Sequence, residues 1–533
     1  MFHQLLTPVG SSLPLNCALA ALPIATVLLL LAGLRRAAWL ASLGGLVVGA
    51  VIALGPWQFP PLLALQSVAA GATFALWPVM WIVVNALLLY NIAVAGGHVE
   101  AFCHWMLSYL PDDRRVLLIV VGFCFGSLLE GVAGFGAPVA ITTALLVRFG
   151  LRAREALTYT LIFNTAPVAF GALGAPIATL GAVTHLPDTT LAAMIGRQLP
   201  LIAIVLPFYA IALQGGRRSL RALWPVLAVA GASFAVTQFA VSNYLSYALT
   251  DVLASLGSLL LTLAFLRVWR PRPDPQYRID AAALSEYHAA RVSAWRGWMP
   301  WVCVSAVVIA WTMLHISRLG EHKIPWPHLH ERVYITLYHT PYAAVWSFQP
   351  LATGTAILCA CVLTALLGRL PAAKFAHAIA VTWRQSRLTV LTVAAIMGLA
   401  YLMNYSGLNY TLGLGVASAG LAFPLLSAFL GWIAVFLSGS DTAGNALFGN
   451  LQVVAAHQLG LNPVLIAATN SSGGVLGKMV SPQNLATGAS VTDQQGKEGS
   501  VLATTLGHSI LLTLLLGAIV LVQQYLLPQM IPH

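Results

Sequence analysis

The sequence predicts an all-α, polytopic membrane protein of about twelve transmembrane helices plus two re-entrant helical hairpins, arranged as an inverted repeat. Three observations carry this. Of 533 residues, 59% are hydrophobic and 8% charged, and many uncharged windows reach the helical length, about 20 residues, that crosses about 30 Å of hydrocarbon. Helix-breaking residues interrupt some of the most apolar runs and bring acidic side chains with them, which membrane depth tolerates only inside protein or beside a hydrated cavity. That device occurs twice, in the same order. An outer-membrane barrel would need alternating segments of about ten residues, and the sequence has none.

Taken in order, residues 1–61 form an N-terminal helical pair with spans near 14–33 and 38–55. The first repeat, 62–214, holds a span at 74–95, a hairpin at 116–147, a broken helix at 155–181 and a span at 198–214. Residues 215–370 are connecting helices (222–241, 249–268, 298–316, 350–368) with a polar loop at 270–296 and an external loop at 317–349. The second repeat, 371–533, holds a span at 388–405, a hairpin at 411–452, a broken helix at 462–488 and a last span at 501–527. Segments 62–73, 99–110 and 187–196 read as short interfacial or connecting helices, and the polar loop as a linker with a short amphipathic helix.

The first hairpin centres on LLEGVAGFGAPVAI, Leu128 to Ile141, where Glu130 stands among the helix breakers Gly131, Gly134, Gly136 and Pro138. The second centres on LSGSDTAGNALFGNLQ, residues 437–452, with Asp441 in an apolar run. Gly97 and Gly407 close the helices ahead of them, 310 residues apart, and Gly134 and Gly444 share that separation. NTAPVAFGALGAP from Asn164 and NSSGGVLGKMVSP from Asn470 follow one pattern of Asn, Gly and Pro at an offset of 306. These pairs read as a duplicated unit.

With the N-terminus outside, 21 of the 26 basic residues fall in cytoplasmic loops, as the positive-inside rule requires. Arg114/Arg115 and Arg148/Arg152 flank the first hairpin on one side, which favours a re-entrant turn over a crossing, and the helices ahead of the two hairpins run in opposite directions. The net charge of +11 reflects these loops and gives no reason to expect nucleic acid. Both termini are then periplasmic, and the uncharged N-terminus lacks a signal-peptide n-region. The six cysteines show no metal spacing, and His322, His328, His330 and His339 match no ligand pattern, so no metal or other cofactor is expected. The external loop reads as wetted and aromatic-rich.

Broken helices meeting near the midplane expose unpaired N–H groups and half-helix dipoles that hold a carboxylate. Asn164, Thr165, Asn470, Ser471 and Ser472, placed at the two breaks, supply partners for a carboxylate and a hydroxyl; Gly473 and Gly474 let a ligand reach the backbone. These polar residues would equally satisfy freed backbone groups. Lys478 is the one basic residue deep in an apolar span and needs an anion: Glu130, Asp441 or a substrate. Glu130 and Asp441 are the candidate proton carriers, although Asp441 also reads as a helix N-cap. His508, inside the last span, is either a proton relay or a hydrogen-bonded structural residue; Arg197 either attracts anions or anchors the interface.

At LLEGVAGFGAPVAI, NTAPVAFGALGAPI, IGRQLP, NYSGL, GSDTAGNALF and NSSGGVLGKMVSPQN the chain closely resembles the bacterial lactate permease family, in order from about Leu62 to the C-terminus. The resemblance implies a symporter that imports L-lactate, D-lactate or glycolate, that is a 2-hydroxymonocarboxylate, with protons across the inner membrane. It also places the chain near a wider ion-transporter superfamily with paired re-entrant hairpins, in which dimeric elevators are common, so a homodimer is carried over by analogy alone. Family members have two small hydroxyl residues where Ala443 and Gly444 stand here, and NTTGG where this chain has Asn470 to Gly474. A carrier of another organic anion, such as a dicarboxylate, is the alternative, and a second cationic clamp would favour it. A membrane-embedded enzyme would need a nucleophile–base or metal constellation that the sequence does not display. A channel would not need an ionisable carboxylate at each tip.

Overall fold

Backbone at membrane depth must satisfy its own polar groups, and this chain does so almost entirely in helices. A computed structural model of the chain describes all residues except Arg35, 135–136, 280–292, Asp493, 495–496 and His533. Gly136 and the amphipathic helix expected in the polar loop therefore lie outside the described residues.

Helix α1 (Leu13–Leu28) packs on α2 (Ala38–Leu54), where a side chain at Gly45 would strike Val27 and the Pro23 carbonyl. Next, α3 (Pro61–Phe74) continues through a kink at Trp77, extended ahead of Pro78, into α4 (Trp81–Ala95). Residues 62–73 thus belong to one apolar segment, Pro61–Ala95, and are not a separate interfacial helix. The residue before a proline avoids the helical region, which bends the segment without ending it. After α5 (His98–Leu107), α6 (Arg114–Val132) and α7 (Ala137–Arg148) fold back on each other, with Gly126 against Thr142 and Arg114 donating to the Gly150 carbonyl at 2.9 Å. The helices α8 (Ala153–Phe163) and α9 (Gly171–Thr184) meet at a 65° bend.

The 57-residue α10 (Asp188–Tyr244) reverses at Gly216, where φ is +61° and ψ −159°; Gly231 then lies on Ile204 and Gly196 on Ser242, so its two limbs run antiparallel. There follow α11 (Thr250–Val268), α12 (Ala294–Met313), α13 (Thr353–Leu367), α14 (Ala372–Ser406) and α15 (Leu408–Val416). A second hairpin comes next, α16 (Phe423–Ser438) and α17 (Asp441–Gln458), then α18 (Pro463–Lys478), α19 (Pro482–Ala489) and α20 (Glu498–Tyr525). Among the described residues, eight segments are long and apolar enough to cross a membrane, or nine counting the bent pair α8–α9 as one. That number is lower than twelve partly because α10 holds two limbs in one segment and because α2 and α13, at 17 and 15 residues, are short.

The Arg-rich turns gather at one end. Arg115 pairs with Asp113 at 2.6 Å and reaches Ser219, Arg114 reaches the Gln276 carbonyl at 2.7 Å, and Arg296 reaches that of Gly96 at 3.0 Å. At the other end the loop 317–349 forms a pair of small sheets. Strand β1 (Phe2–His3), β2 (His322–Pro325), β3 (Val333–Ile335), β4 (Thr340–Pro341) and β5 (Val345–Phe348) pair as β1–β3–β4 and β2–β5. The N-terminus is thereby stitched to the loop 317–349, in strands of two to four residues too short to show alternation. Among the described residues no three metal-ligating side chains converge, and His330 accepts from the Ala344 amide at 3.1 Å.

Candidate functional site

Each hairpin turns on a glycine in the left-handed region, Gly134 at φ +55° and Gly439 at φ +72°. These tips are 305 residues apart, close to the offset of the two Asn-Gly-Pro motifs, and Gly439, not Gly444, forms the second tip. Gly444 sits one turn into α17, against Val435 and Ala434. The second hairpin also begins at Phe423 and ends at Gln458, later than the expected 411–452, because Gly420 and Pro424 separate α15 from α16. The ends of the first hairpin lie with the Arg-rich turns; the second opens at the other end, where Tyr525 donates to the Leu421 carbonyl.

Each tip rests on a break. In the first, Asn164 closes α8, and Ala172, Leu173 and Gly174 follow with φ of +46°, +55° and +86°. Two non-glycine residues in that region store about 1–3 kcal/mol each, sustained only where the surroundings dictate the backbone. Here a Cβ on Gly134 would meet that of Ala172 at 3.3 Å, and Tyr247 covers Gly174. The second break falls at Met479–Ser481, nine residues later than the expected Asn470–Ser472. Asn470, Ser471, Ser472, Gly473 and Gly474 therefore lie inside the regular helix α18 and are not at an unwound segment. Weak helix formers hold a helix here because packing overrides propensity. Gly431, Gly473 and Gly477 let α16 and α18 touch backbone to backbone, and a Cβ at any of them would collide with a carbonyl of the other helix. Gly473 thus packs helices and offers no open backbone, while Gly474 makes room for the Asp441 carboxylate.

Between the tips lies a cavity of about 50 Å³. A water needs about 10–15 Å³ of such space, so it holds a few waters or a very small ligand. Glu130 and Gly134 line it from the first hairpin, Gly171 and Ala172 from the first break, Ser440, Asp441 and Thr442 from the second hairpin, and Lys478, Gln483 and Asn484 from the second break. The Lys478 ammonium donates to Glu130 Oε1 at 2.5 Å, and the Asn164 amide donates to Oε2 at 3.0 Å; both charged side chains are almost fully buried. Lys478 is at the last turn of α18, where a cation also meets the negative end of the helix dipole.

Across the cavity, Ser471 donates to Asp441 Oδ2 at 2.6 Å and Asn445 donates at 3.3 Å, while Oδ1 has no partner among the described residues. Ser440, not Asp441, caps α17, accepting from the Ala443 amide at 3.3 Å. Behind Asp441, Asn470 donates to Asn445, and Gln452 donates to Asn470. Asn445 also reaches the Pro176 carbonyl at 3.2 Å, tying the second hairpin to the first broken helix.

The remaining candidates fall away from the cavity. Thr165 returns its hydroxyl to the Ile162 carbonyl at 2.6 Å, and the buried Ser472 hydroxyl has no partner among the described residues. His508 Nδ1 meets the Tyr209 hydroxyl at 2.5 Å on the flank of α20, outside the cavity wall. Ser440, Thr442, Gln483 and Asn484 are wall residues the sequence reading passed over. It also passed over Asp251, a buried acid that meets Gly131 on the arm carrying Glu130. An acidic residue opening the span 249–268 was a visible signal of the same kind as Glu130.

Residues 16–527 match the model of a family described as L-lactate permease. The chain is 38% identical to "Glycolate permease GlcA" of Escherichia coli strain K12, over 99% of each chain. It is 38% identical to the "L-lactate permease" of the same strain over 100% of each, and 36% identical to that of Bacillus subtilis strain 168 over 99% of each. Among solved structures, Neisseria gonorrhoeae MtrF aligns with a TM-score of 0.47 at 14% identity, covering 87% of this chain and 84% of that one. The Alcanivorax borkumensis YdaH transporter aligns with a TM-score of 0.43 at 16% identity, covering 86% of each.

Proposed function

The chain belongs to the L-lactate permease family, a multi-pass membrane transporter and not an enzyme, and from that premise we propose that it imports lactate, and the related acid glycolate, together with protons across the bacterial inner membrane. The observation that carries this reading is the cavity itself: two hairpin tips from opposite ends of the molecule enclose one ammonium, Lys478, between the carboxyls of Glu130 and Asp441. A single cation suits a monocarboxylate better than a dicarboxylate. Ser440, Thr442, Gln483 and Asn484 can hydrogen-bond a 2-hydroxyl.

In the cycle we infer, the substrate carboxylate displaces Glu130 from Lys478, and Glu130 accepts a proton. Charge bookkeeping favours this order. An anion moving inward against an inside-negative potential costs about 2.3 kcal/mol per 100 mV, and one accompanying proton removes that cost. Asp441 is the second candidate proton carrier, and Asn164, Asn470 and Ser471 position the two carboxyls through the hydrogen bonds described. His508 is assigned no part in the proton path. The architecture belonging to this reading has about twelve crossings in two inverted halves, with the Arg-rich turns cytoplasmic, both termini periplasmic and, by analogy with the wider superfamily, two copies in the assembly.

Uptake of labelled L-lactate by proteoliposomes, with and without an inward proton gradient, tests the proposal. Gradient-driven accumulation is expected, with unlabelled glycolate competing; accumulation indifferent to the gradient overturns proton coupling. Glu130→Gln is expected to abolish accumulation while preserving exchange.

A further inference from the structure

Asp251 lies near the start of α11, on the connecting segment outside both hairpins, and is 1% exposed. Neither of its carboxylate oxygens has a hydrogen-bond partner among the described residues. It does not cap its helix, whose N-cap residue, Leu249, makes no side-chain bond. Its backbone rests on Gly131, next to Glu130, so closely that a Cβ there would stand 2.7 Å from the Asp251 Cβ. The charges of Glu130 and Lys478 both act on it. Elements packed against α11 also carry Cys124 of α6, which meets Ser258, and the Asp188–Tyr247 pair, joined at 3.3 Å, as well as Arg115 of α6, Arg197, Tyr209, Arg217, Arg218, Arg221 and Tyr244 of α10, and Arg296 and Cys303 of α12; α9 carries none.

A structural acid at a helix start accepts a backbone N–H or faces a cation or water. Asp251 accepts no hydrogen bond among the described residues, and holding an unpaired charge in protein interior is costly. Glu130 bonds the Lys478 ammonium, Asp441 lines the same cavity, and Asp251 lies behind Gly131 beside them. One ammonium neutralises one carboxylate at a time, so with a substrate carboxylate on Lys478 both Glu130 and Asp251 are left for protons to neutralise.

We propose that Asp251 is a further proton-carrying carboxyl of the transport cycle, protonated from the external side with substrate bound and deprotonated to the cytoplasmic side on release. This rests on the proton-coupled reading above. The step forms one O–H bond outside and breaks it inside, with no other bond changed. Added to the one proton of the reading above, this makes two protons for one anion, and each cycle moves one net positive charge inward.

The test is lactate accumulation in proteoliposomes at a fixed proton gradient, with and without an inside-negative potassium diffusion potential. Wild type is expected to gain about tenfold for each 60 mV, the value of one net charge. Asp251→Asn is expected to keep gradient-driven uptake and exchange but lose the voltage response, and Asp251→Glu to retain it. If the Asn variant does not assemble, Asp251→Ser, smaller and also uncharged, is read in the same way. A voltage response unchanged in Asp251→Asn overturns the assignment, as does a wild type driven by the proton gradient but indifferent to voltage. A wild type indifferent to the proton gradient instead overturns the function proposed above, so the two failures are distinct.

Discussion

Lys478→Met should destabilise the protein more than the simultaneous loss of Lys478 and Glu130. The ammonium sits 2.5 Å from Glu130 Oε1, and the two side chains are only 7% and 3% exposed. Without it, a buried carboxylate keeps, among the described residues, a single side-chain donor, Asn164 at 3.0 Å. Breaking a buried pair from one side costs about 3–5 kcal/mol, because the remaining charge is uncompensated. The double variant Glu130→Gln/Lys478→Met removes both charges, keeps an acceptor for Asn164, and should cost about 1–2 kcal/mol, the scale of one lost charge-assisted hydrogen bond. A double-mutant cycle, measured by reversible unfolding in mixed micelles, should therefore show strong non-additivity, with the double variant more stable than Lys478→Met. Additive losses, or a Lys478→Met protein as stable as wild type, would refute the claim that these two groups neutralise each other in the folded protein.

Other outcomes follow from the same geometry. Gly473→Ala places a methyl against the Ala428 carbonyl and should cost about 1–3 kcal/mol, lowering the unfolding midpoint, whereas Gly507→Ala, with nothing within 4 Å, should be neutral or slightly stabilising. Asp441→Asn should abolish gradient-driven accumulation, and His508→Gln should leave it at the wild-type level, both measured in proteoliposomes. In a cysteine-free background, a cysteine at Glu331 should react with an impermeant maleimide in intact cells, and one at Arg218 only after permeabilisation; the reverse pattern would invert the proposed topology.

Much of this architecture was legible because glycine, proline and buried charge are local signals. Gly134 and the motif Asn164 to Pro176 marked a tip and a break directly, and a cation at membrane depth demanded an anion. Which anion was not legible: Glu130 and Asp441 both satisfied the rule, and only the placement of the end of α18 beside the first tip assigns Lys478 to Glu130. The run Asn470 to Gly474 read as unwound since its residues are poor helix formers, but the reason it stays helical is the partner helix α16, which no local pattern displays. His508 looked like a relay by residue type, and its Tyr209 partner lies 299 positions away in the chain.

The glycine seam between α16 and α18 has a bearing on how a solute could be let through. At three glycines a carbonyl of one helix lies where a Cβ of the other would stand, so sliding α16 along α18 would break this close packing. At the tip the contact is of another kind: Gly439 lies against the side chains of Ser481 and Gln483 rather than against backbone.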